Sequence, residues 1–245
     1  MPRAGDILAA LCRLPFADLD WISRGRPLLV LAPHPDDESL GCGGLIAEAC
    51  ARGQIVHVAV LTDGTGSHPN SKAYRAPRLK ALRESEARAA VAELGLPPER
   101  LSFLGLRDAA APHAGADFDA AVARLADHMA AHDIGTICAT WRHDPHRDHV
   151  AAHLIAAAAA RRAGVRHLAY PVWGWTLAED KELAEAPPRG IRLDIARHLA
   201  AKRRAIAAHA SQTGKVITDD PTAFSLPHNL LVNFDQPYEV FLEAD

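Results

Sequence analysis

Disulfide chemistry is the first thing this chain lacks. Among its 245 residues are four cysteines, Cys12, Cys42, Cys50 and Cys138, and no two of them form a CxxC pair. That excludes a disulfide-stapled scaffold and fits a reduced compartment. Aromatic residues are also few, at 5% of a chain that is 49% apolar, so the core must be built from Ala, Leu, Val and Ile. There is no excess of positive charge: the net charge is −3 with histidine neutral, which argues against a nucleic-acid or acidic-membrane partner. No apolar run is long enough for a bilayer. The Ala-rich "AAHLIAAAAARRAG" (151–164) is too short and is closed by two arginines. The N-terminal "MPRAGDILAALCRLPFADLDW" is amphipathic and carries Asp6, Asp18 and Asp20, unlike a secretory leader. A soluble cytoplasmic protein without a transmembrane segment is expected.

What the chain has in quantity is alternation. Short β-rich runs stand at 27–32 ("PLLVLA"), 54–62, 100–106, 135–141 and 165–173, separated by helical patterns at about 38–52, 76–95, 116–132 and 147–163. Strands alternating with helices imply βαβ units: an α/β, Rossmann-like, mostly parallel sheet with helices on both faces. Beyond about 172 the pattern is less regular, with a helix near 195–210 and "PYEVFLEA" (237–244) as a closing strand. There is no repeat or low-complexity linker, so residues 1–245 are read as one domain. In such sheets, ligands bind outside the carboxyl ends of the strands.

Two unusual stretches fall at that edge. "LAPHPDDESLGCGG" (31–44) follows the first strand, and "WRHDPHRDHVAAH" (141–153) follows the fourth. With fourteen histidines in the chain, a single one carries little weight, but the clustering with aspartate does. Imidazole with carboxylate suits a borderline metal such as zinc, and a catalytic zinc takes three protein ligands and leaves one position open. His34 and Asp37, three apart on a loop running into a helix, can point to one side, and His149 supplies a third ligand from the other loop. Asp36 lies on a different face of the chain, placed to take a proton from a water that the metal polarises. The crowding of like charges then has a reason, because a divalent cation offsets it. His146 and His149, three apart at a helix start, share a face. Asp148 has the position to hydrogen-bond an imidazole and fix its tautomer.

These residues resemble the PIG-L/LmbE family of metal-dependent N-acetylglucosaminyl deacetylases: "HPDDE" running into a Gly-rich helix, then "HRDH". "RESEARAAVAELG" (83–95), "FLGLRD" (103–108), "AHASQ" (208–212) and "PYEVF" (237–241) are similar to further family segments. The resemblance implies an LmbE-like fold and one divalent metal per chain, zinc or iron(II), held by His34, Asp37 and His149. It implies Asp36 as general base, and His146, tuned by Asp148, as the group that stabilises the oxyanion or protonates the leaving amine. It places Arg83 and Asp108, with His209 of "AHASQ", against an amino-sugar conjugate that loses an N-acetyl group. Arg147 stands where the family's second motif often has proline. His143 and Asp144 receive no role. Trp173 and Trp175 have two readings, a stacking face for a sugar ring or packing. His57, His113, His128, His132, His153 and His167 are read as ordinary polar residues, and the oligomeric state is left open. Two rival readings remain. "DPHRDH" nearly matches the "HxHxDH" of metallo-β-lactamase-type hydrolases, with Asp144 in place of the first histidine. A metal-holding scaffold protein is the non-enzyme alternative.

Overall fold

A computed structural model describes residues 1–184, 187–214 and 216–244. Its strands are β1 (Phe16–Ala17), β2 (Leu28–Ala32), β3 (Val56–Thr62), β4 (Leu101–Leu106), β5 (Thr136–Thr140), β6 (Arg166–Tyr170), β7 (Gly190–Asp194) and β8 (Tyr238–Glu243). The helices are α1 (Ala4–Leu11), α2 (Leu19–Ser23), α3 (Asp37–Ala51), α4 (Ala76–Glu93), α5 (Ala116–Ala131), α6 (Arg147–Ala163), α7 (Leu199–Ala208) and α8 (His228–Leu231). All eight strands form one sheet in the order β1-β7-β8-β6-β5-β2-β3-β4. β4, β3, β2, β5 and β6 run parallel, whereas β8 is antiparallel to both β6 and β7. Among the described residues, no helix is long and apolar enough to cross a membrane.

Side-chain alternation divides the core. Leu28 and Val30 of β2, with Val56, Val58 and Val60 of β3, pack toward α3, α4 and α7. Leu29 and Leu31, with Ala59 and Leu61, pack toward α5 and α6 on the other face. Every residue of β2 and β3 is buried, as expected of strands covered on both sides. The scarcity of aromatic residues is met by close backbone approach. A Cβ on Gly41 would lie 2.2 Å from the Tyr170 ring, and one on Gly44 2.4 Å from Ile195. The glycines of "GCGG" therefore let α3 sit directly on the sheet, with Cys42 buried among them.

β2 is the pivot of the topology. The chain leaves it toward β3 and β4 on one side, then crosses to β5 and β6 on the other. Neighbouring connections diverge between β2 and β5, and this opens a crevice beyond their carboxyl ends. The "HPDDE" loop follows β2 and the "HRDH" loop follows β5, so the switch point brings together two motifs more than a hundred residues apart.

The C-terminal third departs from the sequence expectation in its details. The run at 165–173 ends as a strand at Tyr170, because the amides of Val172, Trp173 and Gly174 turn to Asp144 instead of a neighbouring strand. β1 and β7 have no counterpart in the sequence reading; both are short, and β7 begins at a glycine with φ 159°. The closing strand is present, and its Glu239 bonds the amides of Gly44 and Leu45 at 2.6 and 2.8 Å and Lys202 at 2.7 Å.

Candidate metal centre

The three consecutive acids of "PDDE" are sorted by partner rather than left to repel one another. Asp37 Oδ2 lies 3.1 Å from His34 Nδ1 and 3.2 Å from His149 Nε2. Asp36 Oδ2 accepts a hydrogen bond from the Arg83 guanidinium at 3.2 Å. Glu38 turns away, and its Oε1 meets His209 Nε2 at 2.9 Å and the Ser39 hydroxyl at 2.7 Å. Backbone geometry enforces the sorting. Asp36 has φ 152°, a conformation that favours glycine and costs about 1–3 kcal/mol. Its amide is fixed by Glu38 Oε2 at 2.9 Å. The helix that starts at Asp37 then points the next two side chains in different directions.

Two donor separations suit a metal ion, and His34, His146 and His149 each offer a nitrogen within 4.8 Å of the other two. Donors of a tetrahedral zinc, at bond lengths of about 2.0–2.1 Å, lie about 3.3 Å apart. The 3.1 and 3.2 Å separations around Asp37 Oδ2 match that spacing. His149 Nε2 is buried and, among the described residues, has no partner in hydrogen-bonding geometry. The far nitrogen of each imidazole is held by carboxylate. His149 Nδ1 meets Asp144 Oδ2 at 2.9 Å, while His34 Nε2 is 3.2 Å from both Asp108 Oδ1 and Asp148 Oδ2. Such partners fix the tautomer and orientation of ligating histidines. Asp144 is itself anchored by the amides at 172–174.

Without a metal, the electrostatics favour protons on the same atoms. Burial alone would lower His149, but Asp37 and Asp144 raise it to about 9. Burial opposes protonation of His34 as well, and Asp108, Asp148 and Asp37 overcome it, holding that ring well above its ordinary value. Asp37 is held far below the usual carboxylate range by His149 and His34 despite its burial. Asp36 goes the other way: burial raises it to about 6, against the pull of Arg83. His146 is lowered to about 4 by burial and by the neighbouring His34 and His149.

Several residues take positions that differ from those expected. Asp148 does not reach His146 through its carboxylate. Its oxygens take His34 and the amides of Ala109 and Ala111, and its own amide donates to His146 Nδ1 at 3.2 Å. The reason is the start of α6: His146 is the N-cap and its ring accepts from the first turn. In the neutral ring the proton is then on Nε2. Arg83, expected to contact sugar, lines the cavity over the cluster, but it is 2% exposed and its guanidinium also bonds the carbonyls of Gly64 and Pro35. His209, expected to contact substrate, is 1% exposed and stands behind Glu38. Asp108 both touches His34 and accepts from the Gly66 amide at 2.8 Å. Glu86, three residues after Arg83, takes the amide and hydroxyl of Ser211 at 2.7 and 2.6 Å. This ties "RESE" to "HASQ". Sequence reasoning gave Asp144 no role; its signal was its place five residues before His149 in a loop already rich in histidine.

A cavity of about 160 Å³ opens over this cluster. Its polar floor includes His34, Asp36, Asp37, Asp108 and His146, and its apolar wall is Leu40, Trp173, Phe224 and Leu226. Trp173 meets Phe224 edge to face, with ring centroids 5.8 Å apart. Trp175 packs against the core rather than into this cavity.

The sequence pattern described as "PIG-L: GlcNAc-PI de-N-acetylase" matches residues 29–160, which contain both motifs. A 1D-myo-inositol 2-acetamido-2-deoxy-alpha-D-glucopyranoside deacetylase from Rhodococcus opacus (strain B4) is 28% identical, over 84% of this chain and 87% of that protein. A protein of the same description from Actinosynnema mirum is 33% identical over 76% and 80%. Among solved structures, the zinc-inhibited form of teicoplanin deacetylase Orf2 superposes with a TM-score of 0.66. The match covers 89% of this chain and 99% of that one at 17% identity, a likeness of fold.

Proposed function

The chain belongs to the PIG-L family of GlcNAc-PI de-N-acetylases, and on that premise we propose that it is a metal-dependent hydrolase of an N-acetyl group on an N-acetylglucosamine conjugate. The observation that carries the reading is the convergence of His34 Nδ1 and His149 Nε2 on Asp37 Oδ2, with Asp36 beside them in the cavity. A zinc or iron(II) ion held by His34, Asp37 and His149 would polarise the acyl carbonyl and acidify a water.

The chain's own groups complete the reaction. Arg83 occupies Asp36 Oδ2, so Oδ1 is the oxygen that takes a proton from the attacking water and passes it to the departing nitrogen. A carboxylic acid near 6 suits both transfers at neutral pH. His146, neutral with its proton on Nε2, donates a hydrogen bond to the oxygen on which negative charge develops. Asp108 at the cavity edge accepts from sugar hydroxyls, and Trp173 and Phe224 meet the apolar face of the ring. Asp144, Asp148 and Arg83 are positioning residues.

The metallo-β-lactamase reading loses its ground, because Asp144 in the first position of "DPHRDH" is engaged by His149 and three backbone amides. Incubation of zinc-loaded protein with N-acetylglucosaminyl-inositol and with other N-acetylglucosaminides tests the proposal by acetate release and appearance of a free amine. Chelator treatment should abolish release and added zinc restore it. A loaded protein that frees no acetate from any of them would overturn the reading.

A further inference from the structure

Outside this centre, the chain gathers titratable side chains of one kind at a second place. His57 is the second residue of β3. His128 and His132 are one turn apart at the end of α5, where the chain needs only three more residues to enter β5. That short connection puts the end of α5 at the amino edge of the sheet, opposite the carboxyl edge where His34 and His149 stand. The ring centroids are 4.4 Å apart for His57 and His132, 4.5 Å for His128 and His132, and 5.0 Å for His57 and His128. One nitrogen from each ring lies within 4.8 Å of the other two, the spacing also met by His34, His146 and His149.

We propose that His57, His128 and His132 form a second transition-metal site, separate from the catalytic centre, that takes a borderline divalent ion such as Zn²⁺. Three features support it. His128 Nε2 is buried and has no hydrogen-bond partner among the described residues. Among the described residues, no side-chain hydrogen bond or ion pair ties any of the three rings to an acid. The exposure is graded: His57 is buried, His128 half-buried and His132 exposed, giving an ion a route in and leaving one position to solvent. Neutral imidazole is the form that ligates. Burial and the neighbouring rings lower His57 to about 4, and burial with His132 lowers His128. Arg100 and Arg124 are the nearby cations and oppose the ion, so the site should be weaker than one with a carboxylate ligand.

Imidazole nitrogens suit zinc, copper and nickel. Donors about 3.3 Å apart at tetrahedral zinc require the rings to close by no more than about 1.5 Å, within reach of side-chain rotation. Two ligands on a helix end and one on a strand would pin α5 to β3. The one-metal expectation then applies to the catalytic centre alone.

Equilibrium dialysis of the metal-free full chain against Zn²⁺ tests this directly. The wild type should bind two ions per chain and His132→Ala one, with deacetylation unchanged because the catalytic ligands are intact. His132 is exposed at a helix end, so the variant is expected to fold, and a thermal melt without metal checks this. In a His34→Ala/His149→Ala background, one ion should remain and raise the melting temperature. Adding His132→Ala should remove both the ion and the shift. A wild type that binds one ion would overturn the proposal, as would a His132→Ala variant that still binds two with unchanged affinity.

Discussion

Asp144 Oδ2 and His149 Nδ1 lie 2.9 Å apart, both fully buried, and this contact decides which nitrogen of His149 faces Asp37. The carboxylate cannot turn away, because the backbone at 172–174 donates to it three times.

A variant that weakens this contact should therefore lose metal before it loses fold. Asp144→Asn can still accept from the backbone but no longer carries the charge that orients His149. Partners of ligating histidines are typically worth 10–100-fold in metal affinity. Zinc competition against a chromogenic chelator should show a drop of that order, with activity returning at high zinc. Unchanged affinity would mean that Asp144 serves only the turn.

Asp36 and Arg83 make a second linked pair. Asp36→Asn should keep its metal and lose about 10²–10⁴ in kcat, the usual worth of a positioned acid/base group. Arg83→Met should act through Asp36. The guanidinium holds Asp36 down against its burial, so its loss raises that pKa further. A base works only when deprotonated, and the acid limb of the rate profile should move to higher pH, with activity recovering in alkaline buffer. If Arg83 instead bound sugar, KM would rise and the limb would stay in place.

Metal uptake should release protons. His149 near 9 and His34, also raised, hold protons at pH 7 that a ligating nitrogen must give up. Calorimetric titration of the metal-free chain with zinc, in buffers of different ionisation enthalpy, should report about one to two protons released per catalytic ion. His34→Ala and His149→Ala should each lower that number. A buffer-independent heat would contradict the proton-filled site.

The parallel sheet was legible because its strands are continuous apolar runs between amphipathic helices. β2, β3, β4 and β5 lie within the runs read as strands, and α6 begins and ends where the pattern does. The antiparallel insertion of β8 between β6 and β7 was not legible, since pairing order depends on contacts distant in sequence. The same holds within the site. The residue types that ligate a metal are visible as a motif, whereas their partners are chosen by the fold. Asp148 looked like the partner of His146, its neighbour in sequence, yet its carboxylate reaches His34, 114 positions away. Arg83 and His209 read as substrate contacts; the fold also gives each an acidic partner that the sequence did not show, Asp36 for Arg83, which lines the cavity, and Glu38 for His209.

Acid should destabilise the protein through histidines kept neutral. His167 is lowered to about 3 by burial and by His153 and Arg161. Its folded pKa lies below the unfolded value of about 6.5, so the unfolded chain binds the proton first. The stability it contributes is present above about pH 6.5 and is lost as pH falls toward about 3. Between pH 7 and pH 5 that amounts to at most about 2 kcal/mol, or roughly 4–8 °C in Tm for a chain of this size. His167→Leu should lose several degrees less than wild type over that interval. Equal losses in the two proteins would place the acid sensitivity elsewhere.

Substrate recognition is tested at the apolar wall. Phe224 lines the cavity and packs edge to face on Trp173, and it carries no group that moves a proton or holds an ion. An aromatic face against a sugar ring acts on the bound ring whether or not the amide has reacted. Its removal should then weaken ground and transition states alike, so KM rises while kcat holds. Phe224→Ala removes one face of the wall and leaves Trp173 in place. A lost aromatic contact of about 0.5–1.5 kcal/mol beyond area burial corresponds to roughly a two- to tenfold rise in KM on an N-acetylglucosaminide. A small acyclic N-acetyl amide has no ring to rest there and should be hydrolysed by the variant as by the wild type. The competing view is that Phe224 holds the segment that closes the cavity, since its amide donates to the Ser67 carbonyl at 2.9 Å. In that case the side chain's loss would loosen the lip and admit water, and kcat would fall on both substrates together. Both kinetic constants measured on both substrates separate the two views: a fall in kcat shared by sugar and acyclic amide would remove Phe224 from substrate recognition.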